Sequence, residues 1–166
     1  TIARLNGMVV GGGNELNLSC DLAVAADHII IKQVGAARES VAAAGATQFL
    51  PLIVGERRAR EILFLCEDIP AAKALDWGLV NKVVPYEKLD EEVNLLAEKL
   101  FNKLPECLRY TKQQLNFWRD LSWHTTIGNA RDWLSIHNLS AEVKEGISAF
   151  NSKRKINYKE IRNSKK

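Results

Sequence analysis

The hydrophobic positions change their rhythm along the chain. Through residue 32 they fall in short runs, at 2–5, 8–10, 22–26 and 28–32, and such runs bounded by Gly, Asn and Asp predict short buried strands. Between the second and third runs lies Gly11-Gly12-Gly13-Asn14-Glu15-Leu16-Asn17-Leu18-Ser19-Cys20-Asp21. The residues after its glycines predict a helix start with Glu15 in the first turn. Residues 33–40 lack periodicity and predict a loop. Helical spacing then takes over. It predicts a small-residue helix over 42–54 interrupted by Pro51, and a helix over 56–66 with Ala59, Ile62, Leu63 and Cys66 on one face. A short helix follows, opened by Pro70 and closed by Gly78, then a strand over 79–84 closed by Pro85. Residues 89–104 predict an amphipathic helix with Leu89, Val93, Leu96, Ala97, Leu100 and Leu104 inward. Pro105 opens another, to about residue 121. A helical stretch over 122–139 carries Trp123, His124, Trp133 and His137, which read as core or interface residues before catalysts. Ser140 reads as the N-cap of a last helix through residue 153, with Val143, Ile147 and Phe150 inward. Strands first and helices after predict an α/β (α+β) chain without internal repeats.

Composition narrows the function. At 166 residues and 46% hydrophobic content the chain has the core of one domain. No apolar run is long enough to span a bilayer, and no secretory leader is visible. Cys20, Cys66 and Cys107 are odd in number and widely spaced, as expected of buried thiols in a reducing cytoplasm. Neither they nor His28, His124 and His137 form a metal-ligand pattern, so no metal is expected. The net charge of +3 hides an asymmetry: from Lys153 onward seven Lys/Arg face one Glu, leaving about −3 for the remainder. An acidic body with a basic tail is not a nucleic-acid surface.

The glycine stretch holds the candidate chemistry. Glycines allow close backbone approach, and a helix N-terminus offers unpaired N–H groups to a developing negative charge. With Glu15 beside them they suit oxyanion stabilisation and proton transfer. A plain hinge, with Glu15 merely favourable at a helix start, fits the same residues. A P-loop does not, because no Lys-Ser or Lys-Thr follows.

The stretch Ala3-x-x-x-Gly7-x-x-x-Gly11-Gly12-Gly13-x-Glu15-Leu16 with Cys20-Asp21 resembles the signature of the enoyl-CoA hydratase/isomerase (crotonase) superfamily. The similarity continues through Gly45-Ala46-Thr47-Gln48, Val54-Gly55, Ala59-Arg60-Glu61-Ile62, Gly78-Leu79-Val80-Asn81 and Glu145-Gly146-x-Ser148-Ala149-Phe150 with Lys153-Arg154. The resemblance implies a crotonase-like spiral of ββα turns over 1–85 and a helical trimerisation region with a basic tail over 86–166. It further implies an acyl-CoA substrate, no cofactor beyond the coenzyme A carried by that substrate, and a homotrimer or dimer of trimers without nucleic-acid or membrane partners. The Gly12 N–H would be one oxyanion donor, with Gly11 against the substrate. The other donor, and most of the CoA-binding loop, are expected in a segment ahead of Thr1, so that the chain corresponds to the later two-thirds of a family member.

The family's hydratases use two glutamates. Glu15 matches the first; the second, in a Gln-Pro-Glu context, falls on Gly35 in Gln33-Val34-Gly35. A glycine there is similar to the 1,4-dihydroxy-2-naphthoyl-CoA synthases, which lack the glutamate at position 15 and carry Asp where Ala42 stands. Gly13-Asn14-Glu15, Gln33-Val34-Gly35, Ser40-Val41-Ala42, Gln48-Phe49-Leu50-Pro51, Tyr110-Thr111-Lys112-Gln113-Gln114, Asn116-Phe117-Trp118 and Ala130-Arg131-Asp132-Trp133 most resemble the 6-oxocyclohex-1-ene-1-carbonyl-CoA hydrolases of anaerobic benzoyl-CoA degradation. Residues 138–142 depart from that pattern. Such an enzyme adds water to the ring double bond and hydrolyses the adjacent carbon–carbon bond to 3-hydroxypimeloyl-CoA. Glu39 is then a candidate second carboxylate, against a loop charge paired with Arg38. Trp133 and Trp118 are candidate walls of the acyl pocket, and Lys153 a candidate partner for a CoA phosphate, against plain charge compensation at a helix end. An ordinary enoyl-CoA hydratase and a non-catalytic acyl-CoA-binding or scaffolding paralogue stay open.

Overall fold

The computed structural model describes residues 1–38 and 40–163. Successive stretches of chain lay one strand in each of two sheets. Strand β1 (Ile2–Leu5) and β2 (Val9–Val10) lead into α1 (Gly12–Ser19). Strand β3 (Leu22–Ala26) and β4 (Ile30–Lys32) lead into α2 (Ala46–Val54) and α3 (Glu56–Leu65). Then come β5 (Ile69–Pro70), α4 (Ala71–Asp76) and β6 (Lys82–Val84). One sheet has the order β1-β3-β6, all parallel; the other has β2-β4-β5, with β4 and β5 antiparallel. Ile2 pairs with Leu22 and Val24 with Lys82.

The middle strand explains the layering. In β3, Val24, Ala25 and Ala26 are wholly buried, as a parallel strand covered on both faces requires. Its small side chains let a later helix, α5 (Leu89–Phe101), pack directly on β1 and β3. Ile31, Leu50 and Leu89, also without exposure, close the core between the sheets and helices. Asn81 Oδ1 accepts from the Ala23 N–H at 2.8 Å and pins the start of β3.

A 3₁₀ turn (Tyr86–Lys88) leads to α5 (Leu89–Phe101), α6 (Pro105–His137), α7 (Ala141–Asn151) and α8 (Tyr158–Asn163). The structure corrects several sequence expectations. There is no break near residue 121: α6 is one helix of 33 residues, about 50 Å long. The Thr125 and Thr126 hydroxyls bond the carbonyls of Leu121 and Ser122 within the helix, at 2.7 and 2.8 Å, instead of ending it. Pro51 lies inside α2 without stopping it. The helix begins at Ala46 rather than residue 42, because a turn closed by Ala43 N–H to the Val41 carbonyl precedes it. In α7 the small residues Gly146 and Ala149 face the core, while Ile147 and Phe150 point outward, 56% and 62% exposed. Leu104 is exposed as well. The strand expected over 28–32 shortens to β4 because residues 27–28 turn, and that over 79–84 shortens to β6 behind the Gly78 turn. Strand β5 and helix α8 have no counterpart in the sequence reading.

Helix α6 displays Leu115, Phe117, Trp118 and Ile136 on its surface. Among the described residues no helix is long and apolar enough to cross a membrane.

Candidate active site

The turn from β2 into α1 rests on Gly11, whose φ of 54° and ψ of −117° only a residue without Cβ adopts readily. Its N–H donates to the Lys32 carbonyl at 3.0 Å, and Val34 packs beside it. Gly12 and Gly13 follow as the first turn of α1, and the space a side chain would occupy at either is open. The first amides of a helix have no intrahelical acceptor, so those of Gly12 and Gly13 are free to meet a ligand oxygen there.

Glu15 stands one residue past Asn14 in α1 and is 7% exposed. Its Oε1 accepts from the Ala44 N–H at 2.8 Å and from the Ala46 N–H at 3.3 Å; neither bond uses Oε2. One carboxylate oxygen thus anchors the side chain to the turn preceding α2. The anchoring tells why α2 begins where it does: the carboxylate holds the orphan amides at its N-terminus. Asn14 and Asn17 share the buried face of α1, Asn17 Nδ2 donating to Asn14 Oδ1 at 3.3 Å.

The loop after β4 turns tightly at Gly35, whose carbonyl accepts from the N–H groups of Arg38 and Ser40 at 3.0 and 2.9 Å. A Cβ on Gly35 would lie 2.7 Å from the Ser40 carbonyl oxygen and 3.5 Å from Ala42 N. Any side chain here collides with backbone. Glu39 lies outside the described residues.

Gly35 and Trp133 share a cavity of about 250 Å³, lined also by Ser40, His137, Tyr158 and Arg162. The Trp133 and His137 rings stack with centroids 4.0 Å apart, and His137 Nε2 is 3.6 Å from a Glu142 carboxylate oxygen. His137, Tyr158 and Arg162 were missed from sequence. The signal for His137 was its spacing, four residues after Trp133 and so on the same helix face; nothing marked the short helix bearing the other two. Trp118 is 66% exposed and rests edge-on against Phe117, away from this cavity. Lys153 follows α7 in left-handed conformation, exposed, and lines neither cavity.

The larger cavity, about 600 Å³, does not contain Glu15. It lies among α1, α2, α5 and α6 and is mostly apolar, with its charges already engaged. Lys112 Nζ is 2.7 Å from Asp21 Oδ2, and Arg119 sits 4.5 Å from the Phe49 ring centroid while donating to the Ser19 carbonyl. Burial pushes the Asp21 carboxyl up, but hydrogen bonds from Lys112 and the Thr1 hydroxyl pull it down. Among the described residues no group of three or more His, Cys, Asp and Glu is arranged to hold a metal.

Residues 1–162 match the family model described as enoyl-CoA hydratase/isomerase. An enoyl-CoA hydratase from Mycobacterium avium subsp. paratuberculosis K-10 superposes with a TM-score of 0.89 at 27% identity, over 95% of this chain and 64% of that one. A carnitinyl-CoA hydratase from Mycobacterium avium gives 0.85 at 30% identity, over 96% and 62%. A carnitinyl-CoA dehydratase from Mycobacterium avium 104 gives 0.80 at 30% identity, over 90% and 60%. The chain therefore spans 60–64% of the length of these solved structures. With that match along nearly all of its residues and the crotonase-like layering of its two sheets, the chain belongs to the enoyl-CoA hydratase/isomerase family.

Proposed function

We propose that this chain carries the catalytic glutamate of an acyl-CoA hydratase that goes on to cleave a carbon–carbon bond, opening 6-oxocyclohex-1-ene-1-carbonyl-CoA to 3-hydroxypimeloyl-CoA. Coenzyme A enters as part of the substrate. The observation that carries this reading is the pairing of one buried, amide-held carboxylate, Glu15, with a loop at Gly35 too tight for a second.

In the first step a water oxygen bonds to the β-carbon of the ring double bond, and the electron pair moves onto the thioester oxygen. The Gly12 N–H at the start of α1 faces that oxygen, with Gly11 giving the backbone room to approach. Glu15 Oε2, left outside the anchoring bonds, takes the proton from water and returns one to the α-carbon. In the second step water adds to the ring ketone. The bond between the former ketone carbon and the α-carbon breaks, its electron pair again resting on the thioester oxygen until the α-carbon is protonated. The leaving carbon becomes a carboxylate. Both steps develop charge on one oxygen, so one donor set serves both.

Trp133 walls the acyl site beside Gly35. Lys153 is the proposed partner of a CoA phosphate, and Glu39 the proposed auxiliary carboxylate. The exposed Leu115, Phe117 and Trp118 of α6 suit burial in a trimer.

A plain enoyl-CoA hydratase is the second reading, favoured by the similarity to proteins named enoyl-CoA hydratase and carnitinyl-CoA hydratase. Mass spectrometry of the products formed by the full-length protein from 6-oxocyclohex-1-ene-1-carbonyl-CoA separates the two. Gain of two waters supports ring opening; gain of one supports the hydratase; no turnover with CoA esters bound overturns both.

A further inference from the structure

The cavity beside Gly35 has a chemistry that the hydration step does not use. At about 250 Å³ it has room for about eight waters at ~30 Å³ each, too little for a coenzyme and enough for a short acyl group. Its wall is polar on one side. Arg162 and Tyr158 come from α8, His137 from α6, Ser40 from the loop after Gly35, and Glu142, whose carboxylate faces His137, from α7. Arginine stays charged at all working pH and offers paired N–H donors that match a carboxylate. The His137 ring is held in plane by Trp133, with the Glu142 carboxylate 3.6 Å from Nε2. Tyrosine and serine add hydroxyl donors.

We propose that this cavity is a subsite for the far end of the acyl group and that Arg162, with Tyr158, binds a carboxylate there. The preferred ligands are CoA esters of short dicarboxylic acids. The inference rests on the reading of the protein as an acyl-CoA enzyme. It extends that reading by assigning a residue of the last helix to substrate choice. Gly35 lines the subsite from the loop after β4.

The test compares adipoyl-CoA with hexanoyl-CoA, equal in chain length and differing in the terminal carboxylate, by calorimetric titration of the full-length protein. The expected result is tighter binding of adipoyl-CoA, by about ten- to a hundredfold, as for a hydrogen bond to a charged group. Arg162→Gln removes that preference and leaves hexanoyl-CoA affinity unchanged, while Arg162→Lys keeps part of it by charge alone. Tyr158→Phe lowers it to a smaller extent. Equal binding of the two esters by the unaltered protein, or a preference that survives Arg162→Gln, overturns the subsite and leaves the acyl-CoA reading standing. Failure of both esters to bind overturns the two together.

Discussion

Replacing Gly35 by Ala tests whether the loop geometry governs the site. The added Cβ meets three backbone atoms, the Ser40 oxygen at 2.7 Å, the Ser40 carbonyl carbon at 3.3 Å and Ala42 N at 3.5 Å. None is the movable end of a side chain. Relief to ordinary contact requires the segment from Ser40 onward to retreat by about half an ångström or more, against a cost of about 1–3 kcal/mol for overpacking. That segment leads directly to Ala44 and Ala46, whose amides hold Glu15 at 2.8 and 3.3 Å. A shift of this size takes the longer bond beyond useful hydrogen-bonding range. The thermal unfolding temperature should fall by about 2–12 °C, at about 2–4 °C per kcal/mol for a chain of this size. Turnover of the CoA ester should fall about 10–100-fold through the loosened carboxylate. Gly35→Glu should suffer at least as much and gain no hydratase activity from its second carboxylate. Scanning calorimetry and steady-state kinetics read both quantities. A Gly35→Ala protein with unchanged melting temperature and unchanged turnover would refute the reasoning.

Two further outcomes follow from particular contacts. Lys112 and the Thr1 hydroxyl hold the Asp21 carboxyl below its ordinary 3.8, so its contribution is present above that value and lost as pH falls through the lowered one. A partly exposed ion pair such as Lys112–Asp21, screened by solvent, contributes about 1 kcal/mol at most. Asp21→Asn should therefore destabilise the protein by up to about 1 kcal/mol at neutral pH in denaturant unfolding, with the deficit fading in acid below the ordinary value. Ser140 Oγ accepts from the Val143 N–H at 3.4 Å as the cap of α7, so Ser140→Ala should cost about 0.5–1 kcal/mol in the same assay.

The legible parts of the sequence were those where local chemistry decides. The strands at 2–5 and 22–26 appear at the residues expected: the uninterrupted apolar run at 22–26 has nowhere to go but a covered sheet, and 2–5 lies at its edge with Arg4 turned outward. The glycine turn and the helix carrying Glu15 appear for the same kind of reason, since φ at Gly11 and the N-terminal position of the carboxylate are local facts. Ser140 caps α7 as expected. What failed was decided at a distance. The start of α2 is set by a carboxylate 29 residues away, at Ala44 N, and no periodicity contains that bond. The inward face of α7 is chosen by close packing that admits Gly146 and Ala149, so Ile147 and Phe150, the better hydrophobes, turn outward, where Arg38 covers the Phe150 ring at 5.0 Å. The join of α6 and α7 with α8 around Gly35 likewise depends on tertiary packing, and hence Tyr158 and Arg162 went unread and His137 was read only as a core or interface residue.

The central claim is that the Glu15 carboxylate moves the protons. Glu15→Gln keeps an oxygen to accept from Ala44 and Ala46 and removes the base, so the fold and CoA-ester binding should survive. The measurement is single-turnover conversion of 6-oxocyclohex-1-ene-1-carbonyl-CoA by the full-length variant beside the unaltered protein. The account predicts a loss of about 10²–10⁴-fold in rate with substrate affinity unchanged. Conversion at the original rate, with the same products, would contradict it.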